Sequence, residues 1–171
     1  MSSIFSDKTR NSLITVLLFG LITFTGFIEL KPNKVDIIEY GVLTFESEEV
    51  VENPNTVAGT ESFMDGIQWI ERTEVIPAKL GVSFGVEYII RGNPEETVQV
   101  TEVIIFPGPG LTNPKTGKSL KESPYPIEVY KNEGNIFAYT FDEPWEIAKG
   151  EWIYQLKIEG KLILEKRFQV K

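Results

Sequence analysis

An alternation restricts this chain more than any other feature. Leu80, Val82, Phe84, Val86, Tyr88 and Ile90 are apolar or aromatic, and Gly81, Ser83, Gly85 and Glu87 stand between them. Successive side chains of an extended strand point to opposite faces, so a period of two places one apolar row on a core face. A helix would need its apolar stripe every three or four residues. The C-terminus repeats the pattern. Trp152, Tyr154, Leu156 and Ile158 share a face, Glu159-Gly160 makes a tight turn, and Leu162, Leu164, Phe168 and Val170 return on one face with Lys166 in the same row. Glycine supplies positive φ at such a turn without steric cost, so this stretch reads as a terminal β-hairpin.

Further strands are expected over residues 35–45, 67–76, 97–106, 125–130 and 135–141. Within 97–106 the apolar phase slips from Val98 and Val100 to Val103 and Ile105, which predicts a bulge near Thr101 or burial on both faces. The acid-rich run FESEEVVEN (residues 45–53) reads as a loop that keeps repelling charges in water. Turn signals such as Asn53-Pro54, Pro107-Gly108-Pro109-Gly110 and Asn113-Pro114 separate the strands. The expected fold is all-β: an immunoglobulin-like β-sandwich of about seven or eight antiparallel strands with Greek-key connections over residues 31–171.

Composition removes many functions. The 171 residues include no histidine and no cysteine, which excludes Ser-His-Asp and Cys-His nucleophiles, zinc fingers, thiol redox chemistry and disulfides. Seventeen Lys and Arg against 25 Asp and Glu give a net charge of -8, so the field of the molecule repels phosphate backbones and no nucleic acid is expected. No phosphate loop, dinucleotide fingerprint or calcium-loop spacing is present, so no cofactor and no metal is expected.

Residues Asn11 to Ile28 carry no charge and follow a short head with Lys8 and Arg10. This reads as a membrane-targeting segment over residues 1–30, a hydrophobic helix that is either a signal peptide or a signal anchor. Gly26 offers only a weak cleavage site, and the apolar run is at the short end for a spanning helix. Lys8 and Arg10 before it are balanced by Lys31 and Lys34 after it, so the positive-inside count ties. The habit of short N-terminal heads favours an exported body in the periplasm or another extracytoplasmic space, held to the inner membrane or released. A buried core helix is the alternative.

Carboxylates cluster at Glu46, Glu48, Glu49 and Glu52, at Glu95-Glu96, and at Asp142-Glu143 with Glu146. Paired carboxylates suffice for glycoside hydrolysis, and Asp142-Glu143 offers oxygens to a hard cation, but solvated charge is the simpler account of all three groups. Among the tryptophans, Trp152 belongs to a core row and Trp145 follows Asp142-Glu143-Pro144 at a corner. Trp69 is the candidate exposed aromatic. The loop carrying Pro107, Gly108, Pro109, Gly110, Asn113 and Pro114 is a candidate interaction surface, or else a rigid connection.

The segments IFPGPGLTNPKTGKS (Ile105 to Ser119) and YTFDEPWEIAKGEWIYQLKIEGKLILEKRFQV (Tyr139 to Val170) resemble the bacterial family called domain of unknown function 3859. The resemblance spans about Val35 to Lys171 and implies an exported or envelope-associated β domain. It brings no activity and no catalytic residue. The leading expectation is therefore a non-enzymatic envelope module that binds a protein or envelope partner through an exposed strand edge or the 107–117 loop. The alternatives are a glycan-binding or glycan-cleaving domain built on Trp69 and carboxylates, and an inhibitor or chaperone-like sandwich acting by strand addition, which needs an edge strand free of Lys and Pro.

Overall fold

The computed structural model describes residues 34–171. The segment Asn11–Ile28 and the predicted leader lie outside them, and among the described residues no helix is long and apolar enough to cross a membrane. Thirteen strands run through the described residues: β1 (Val35–Thr44), β2 (Ser47–Glu52), β3 (Thr60–Asp65), β4 (Gln68–Glu71), β5 (Val75–Ile76), β6 (Ser83–Ile90), β7 (Thr97–Ile105), β8 (Leu111–Thr112), β9 (Ser119–Leu120), β10 (Glu122–Tyr130), β11 (Asn135–Thr140), β12 (Gly150–Ile158) and β13 (Lys161–Val170). A 3-10 turn at Pro144–Glu146 joins β11 to β12. One sheet has the order β11-β6-β1-β4 and the other β10-β7-β12-β13-β5. The chain passes from sheet to sheet between β4 and β5, β5 and β6, β6 and β7, β10 and β11, and β11 and β12, as the crossed connections of a sandwich require.

The alternating rows form the interior. Phe84, Val86, Tyr88 and Ile90 of β6, Trp152, Tyr154 and Leu156 of β12, and Phe168 and Val170 of β13 are all buried. Phe84 lies at the centre, its ring 5.3 Å from Phe141, 5.5 Å from Trp152, 5.7 Å from Tyr154 and 5.5 Å from Phe168. Each such ring removes a large apolar area from water, and tilted or edge-on contacts between rings add to that gain. The polar atoms of two of these rings are satisfied on the way: Trp152 Nε1 donates to Ala148 O at 2.8 Å and the Tyr154 hydroxyl to Phe84 O at 3.2 Å. Gly85 lets β6 approach β11, since a Cβ there would meet Phe137 O at 2.3 Å.

Several expectations are corrected. The two main sheets hold nine strands rather than seven or eight, and the β5–β13 pairing is parallel. Leu80 is exposed, because Gly81 turns the chain with φ +77° before β6 begins. Leu162 is also exposed: the β12–β13 ladder slips between Leu156 and Lys157, so Leu164 pairs with Leu156 but Leu162 pairs with Lys157. No bulge occurs in β7, whose ladders to β10 and β12 run without a shift. Burial on both faces accounts for the slipped phase there, since Val100, Glu102 and Ile104 point inward while Val103 is covered on the outer face.

The acid-rich run forms β2, not a loop. Across the β2–β3 ladder Glu48 faces Met64, Glu49 faces Phe63, Val51 faces Glu61 and Glu52 faces Thr60, so no acid stands directly opposite another and the acids of β2 stay exposed to water. The turn between these strands is closed locally. Asn53 N donates to Gly59 O at 2.9 Å and Gly59 N to Thr56 Oγ1 at 2.9 Å.

Candidate functional site

The two sheets end differently on the side where β10 and β11 are the last strands. Between these edges lies a cleft of about 550 Å³. Its floor is Glu102 and Ile104 of β7 with Phe106, and its walls are Ser123, Tyr125 and Ile127 of β10 and the whole of β11. Residues of β3 lie over it, while β2 contributes nothing to its lining.

The two walls are not equivalent. Pro124 and Pro126 of β10 pair with Val103 and Thr101 of β7 with their side chains on the exposed face. Proline has no N–H, so the outer edge of β10 lacks donors where a further strand would need them. The six residues of β11 include neither proline nor any charged residue. Phe141, which continues the strand, donates its N–H to Val82 O at 3.1 Å. Backbone groups alternate sides in an antiparallel ladder, so Tyr139 and Phe137 also face β6 while Ile136, Ala138 and Thr140 direct theirs outward. Among the described residues β11 pairs only with β6 and β3 only with β2. The cleft is thus a slot with an unpaired strand edge on each side.

Glu102 sits inside the apolar row of β7 and is 6% exposed. The Tyr88 hydroxyl donates to its Oε1 at 2.9 Å, whereas Oε2 has no hydrogen-bond partner among the described residues. Burial pushes the carboxyl up to about 7, against the opposing pull of the Tyr88 hydrogen bond. Burial first, and then the charge of Glu102, hold the Tyr88 phenol far above its ordinary range. The sequence reading missed Glu102, although the interrupted row Val98, Val100, Glu102, Ile104, Phe106 carries its signal.

Glu146, also buried, is committed to the fold. Its Oε2 accepts the N–H groups of Asp142 and Glu143, both at 2.8 Å, and its Oε1 the Tyr139 hydroxyl at 3.1 Å. These bonds pin the 3-10 turn and oppose the upward push of burial on its carboxyl. Glu143 pairs with Lys115 at 2.6 Å. Among the described residues no three carboxylates converge as a metal ligand set.

The predicted loop residues are placed as a brace for the slot. Leu111 and Thr112 pair with Leu120 and Ser119, Gly110 N donates to Pro107 O at 3.1 Å, and Gly108, Pro109 and Pro114 are exposed. Asn113 is buried and donates from Nδ2 to Val57 O at 3.1 Å, which fixes the turn that leads into β3. Lys118 Nζ bonds Pro54 O in the same turn. Trp69 is half-buried on the outer face, where its Nε1 donates to Glu87 Oε2 at 3.2 Å. Trp152 lies in the core and Trp145 packs beside it, so the three tryptophans form no exposed row.

The family model described as Domain of unknown function (DUF3859) matches residues 31–170. This chain belongs to that family. The crystal structure of an immunoglobulin-like protein from Pseudomonas aeruginosa is similar, with 30% sequence identity and a TM-score of 0.53 over 81% of this chain and 97% of that one. The DUF3859 sandwich is therefore all-β and immunoglobulin-like. Two enzymes show fainter likeness. An alkylpurine DNA glycosylase, AlkC, from Pseudomonas fluorescens, bound to DNA containing an abasic site analog, has 10% identity and a TM-score of 0.35 over 57% of this chain and 28% of its own. A beta-D-glucoside glucohydrolase from Trichoderma reesei has 8% identity and a TM-score of 0.36 over 81% of this chain and 19% of its own. At such scores neither carries a functional argument. No curated protein matches the chain.

Proposed function

We propose that this DUF3859 member is a non-enzymatic envelope module that binds a partner protein by taking an extended segment of it into the cleft, hydrogen-bonded along β11. The observation that carries this reading is the unprotected edge of β11 facing a slot, opposite a β10 edge that two prolines block. Strand addition draws affinity from main-chain hydrogen bonds and specificity from pockets beside the added strand, and the cleft supplies such a pocket. Export rests on the uncharged run Asn11 to Ile28 behind Lys8 and Arg10.

The test is a photo-crosslinking amino acid placed at Ile136 of the full chain in growing cells, with Leu162 on β13 as an exposed control. The reading expects a discrete adduct at Ile136, none at Leu162, and loss of the adduct when Ala138→Pro removes an outward N–H. Adducts indifferent to Ala138→Pro, or equal at both positions, would reject it.

A further inference from the structure

Glu102 is costly where it stands. A carboxyl in an apolar row loses its hydration, and one bond from Tyr88 replaces only part of it. Tyr88 approaches it from β6 and takes up one oxygen, and Tyr125 of β10 and Tyr154 of β12 lie near enough to feel its charge. None of these is a cation. Four carboxylates, Glu61, Glu102, Asp142 and Glu146, line the cleft, with no lysine or arginine among the described lining residues. Of these, Glu146 has its oxygens taken by the 3-10 turn and Tyr139. Glu61 accepts from Asn53 at 2.7 Å and stands beside the Tyr125 hydroxyl. Glu102 alone combines a buried side chain with a carboxylate oxygen that has no protein partner among the described residues and opens on the cleft.

Apolar side chains, Ile104, Ile127 and Phe137, line the same space as Glu102. An occupant complementary to both features has an alkyl stem that lies on these side chains and a cation at its tip. A purely apolar occupant would leave Oε2 unpaired in a drier site, and an anionic one would meet four carboxylates. We infer that the cleft receives a lysine or arginine side chain of the bound segment, with its cation against Oε2 of Glu102. This rests on the strand-pairing reading for how the side chain is delivered, but the pocket itself can be probed without a backbone.

The probes are n-butylguanidinium and n-butylammonium chlorides, with n-butanol as the neutral match, titrated into carbon-13-labelled full-length protein. The observable is the side-chain carboxyl signal of Glu102, identified by its loss in Glu102→Gln. The cations are expected to bind in the millimolar range and to lower the Glu102 titration midpoint by at least one pH unit, with n-butanol doing neither. Glu102→Gln should weaken cation binding at least tenfold. An unmoved midpoint in the wild-type protein, which needs no variant to fold, would overturn the inference, and so would equal binding of n-butanol. Such a failure leaves pairing along β11 standing, whereas intact cation binding with no crosslink at Ile136 discards the pairing alone.

Discussion

At one flank of the sandwich the chain crosses directly from β4, the edge of the first sheet, to β5, which pairs with β13 in the second. Gln169 N donates to Glu74 O at 2.7 Å, and Lys171 N to Ile76 O at 3.0 Å. At the other flank β10 and β11 end their sheets, and among the described residues no strand joins them. The closed flank is sealed even where its row is interrupted by a charge. Lys166 lies with Nζ 3.3 Å from the centre of the Tyr40 ring and 2.6 Å from Glu74, so its cation is satisfied at the seam. The corresponding charge on the open flank, Glu102, has no such seal. A charged residue in an inward row is thus a structural rivet in one place and a binding group in the other, according to whether the fold supplies its partner.

The comparison can be broken most forcefully at Ile76, which is fully buried under the closed flank. Ile76→Ala should cost about 2–5 kcal/mol in denaturant unfolding, whereas Ile136→Ala on the open flank should stay within about 0.5 kcal/mol. Equal losses would mean that β11 is packed as tightly as β5.

Glu102 gives the next largest effect, and its sign follows from the raised carboxyl. Between the ordinary glutamate range and about 7 the unfolded chain has released a proton that the folded one keeps, so this group makes stability fall as pH rises through that window. The fall amounts to about 3 kcal/mol and levels off above the folded value. Glu102→Gln, which keeps an acceptor for Tyr88, should flatten the slope, seen as unfolding midpoints at pH 5 and pH 8 that draw together where those of the wild type separate.

Smaller still is Lys166→Met. It retains the buried stem but loses the cation over Tyr40 and the Glu74 pair, and should cost about 1 kcal/mol. A neutral result would remove the rivet from the comparison.

Much of the closed half of the molecule was legible in the sequence. The alternating rows of β6, β12 and β13 and the Glu159-Gly160 turn report burial on one face, and the structure gives Glu159 φ 50° and Gly160 φ 76° as that turn requires. The open half was harder to read, for physical reasons. Glu102 breaks the apolar row that defines β7, so its strand looked slipped. β2 hides its pairing behind a run of acids that can form a strand because the register keeps them from facing one another directly and water still reaches them. That β11 is an edge is a fact of topology, and no local pattern encodes it. Asn113, placed in the candidate loop, acts by holding the turn ahead of β3 rather than by exposure.

Residue-resolved amide hydrogen exchange on the full chain tests the unpaired edge most directly. The amides of Ile136 and Ala138 are predicted to exchange fast while those of Phe137 and Tyr139, one residue on, stay protected by β6. Equal protection of all four would mean that β11 is already covered, and the slot would not be a place where a partner strand can add.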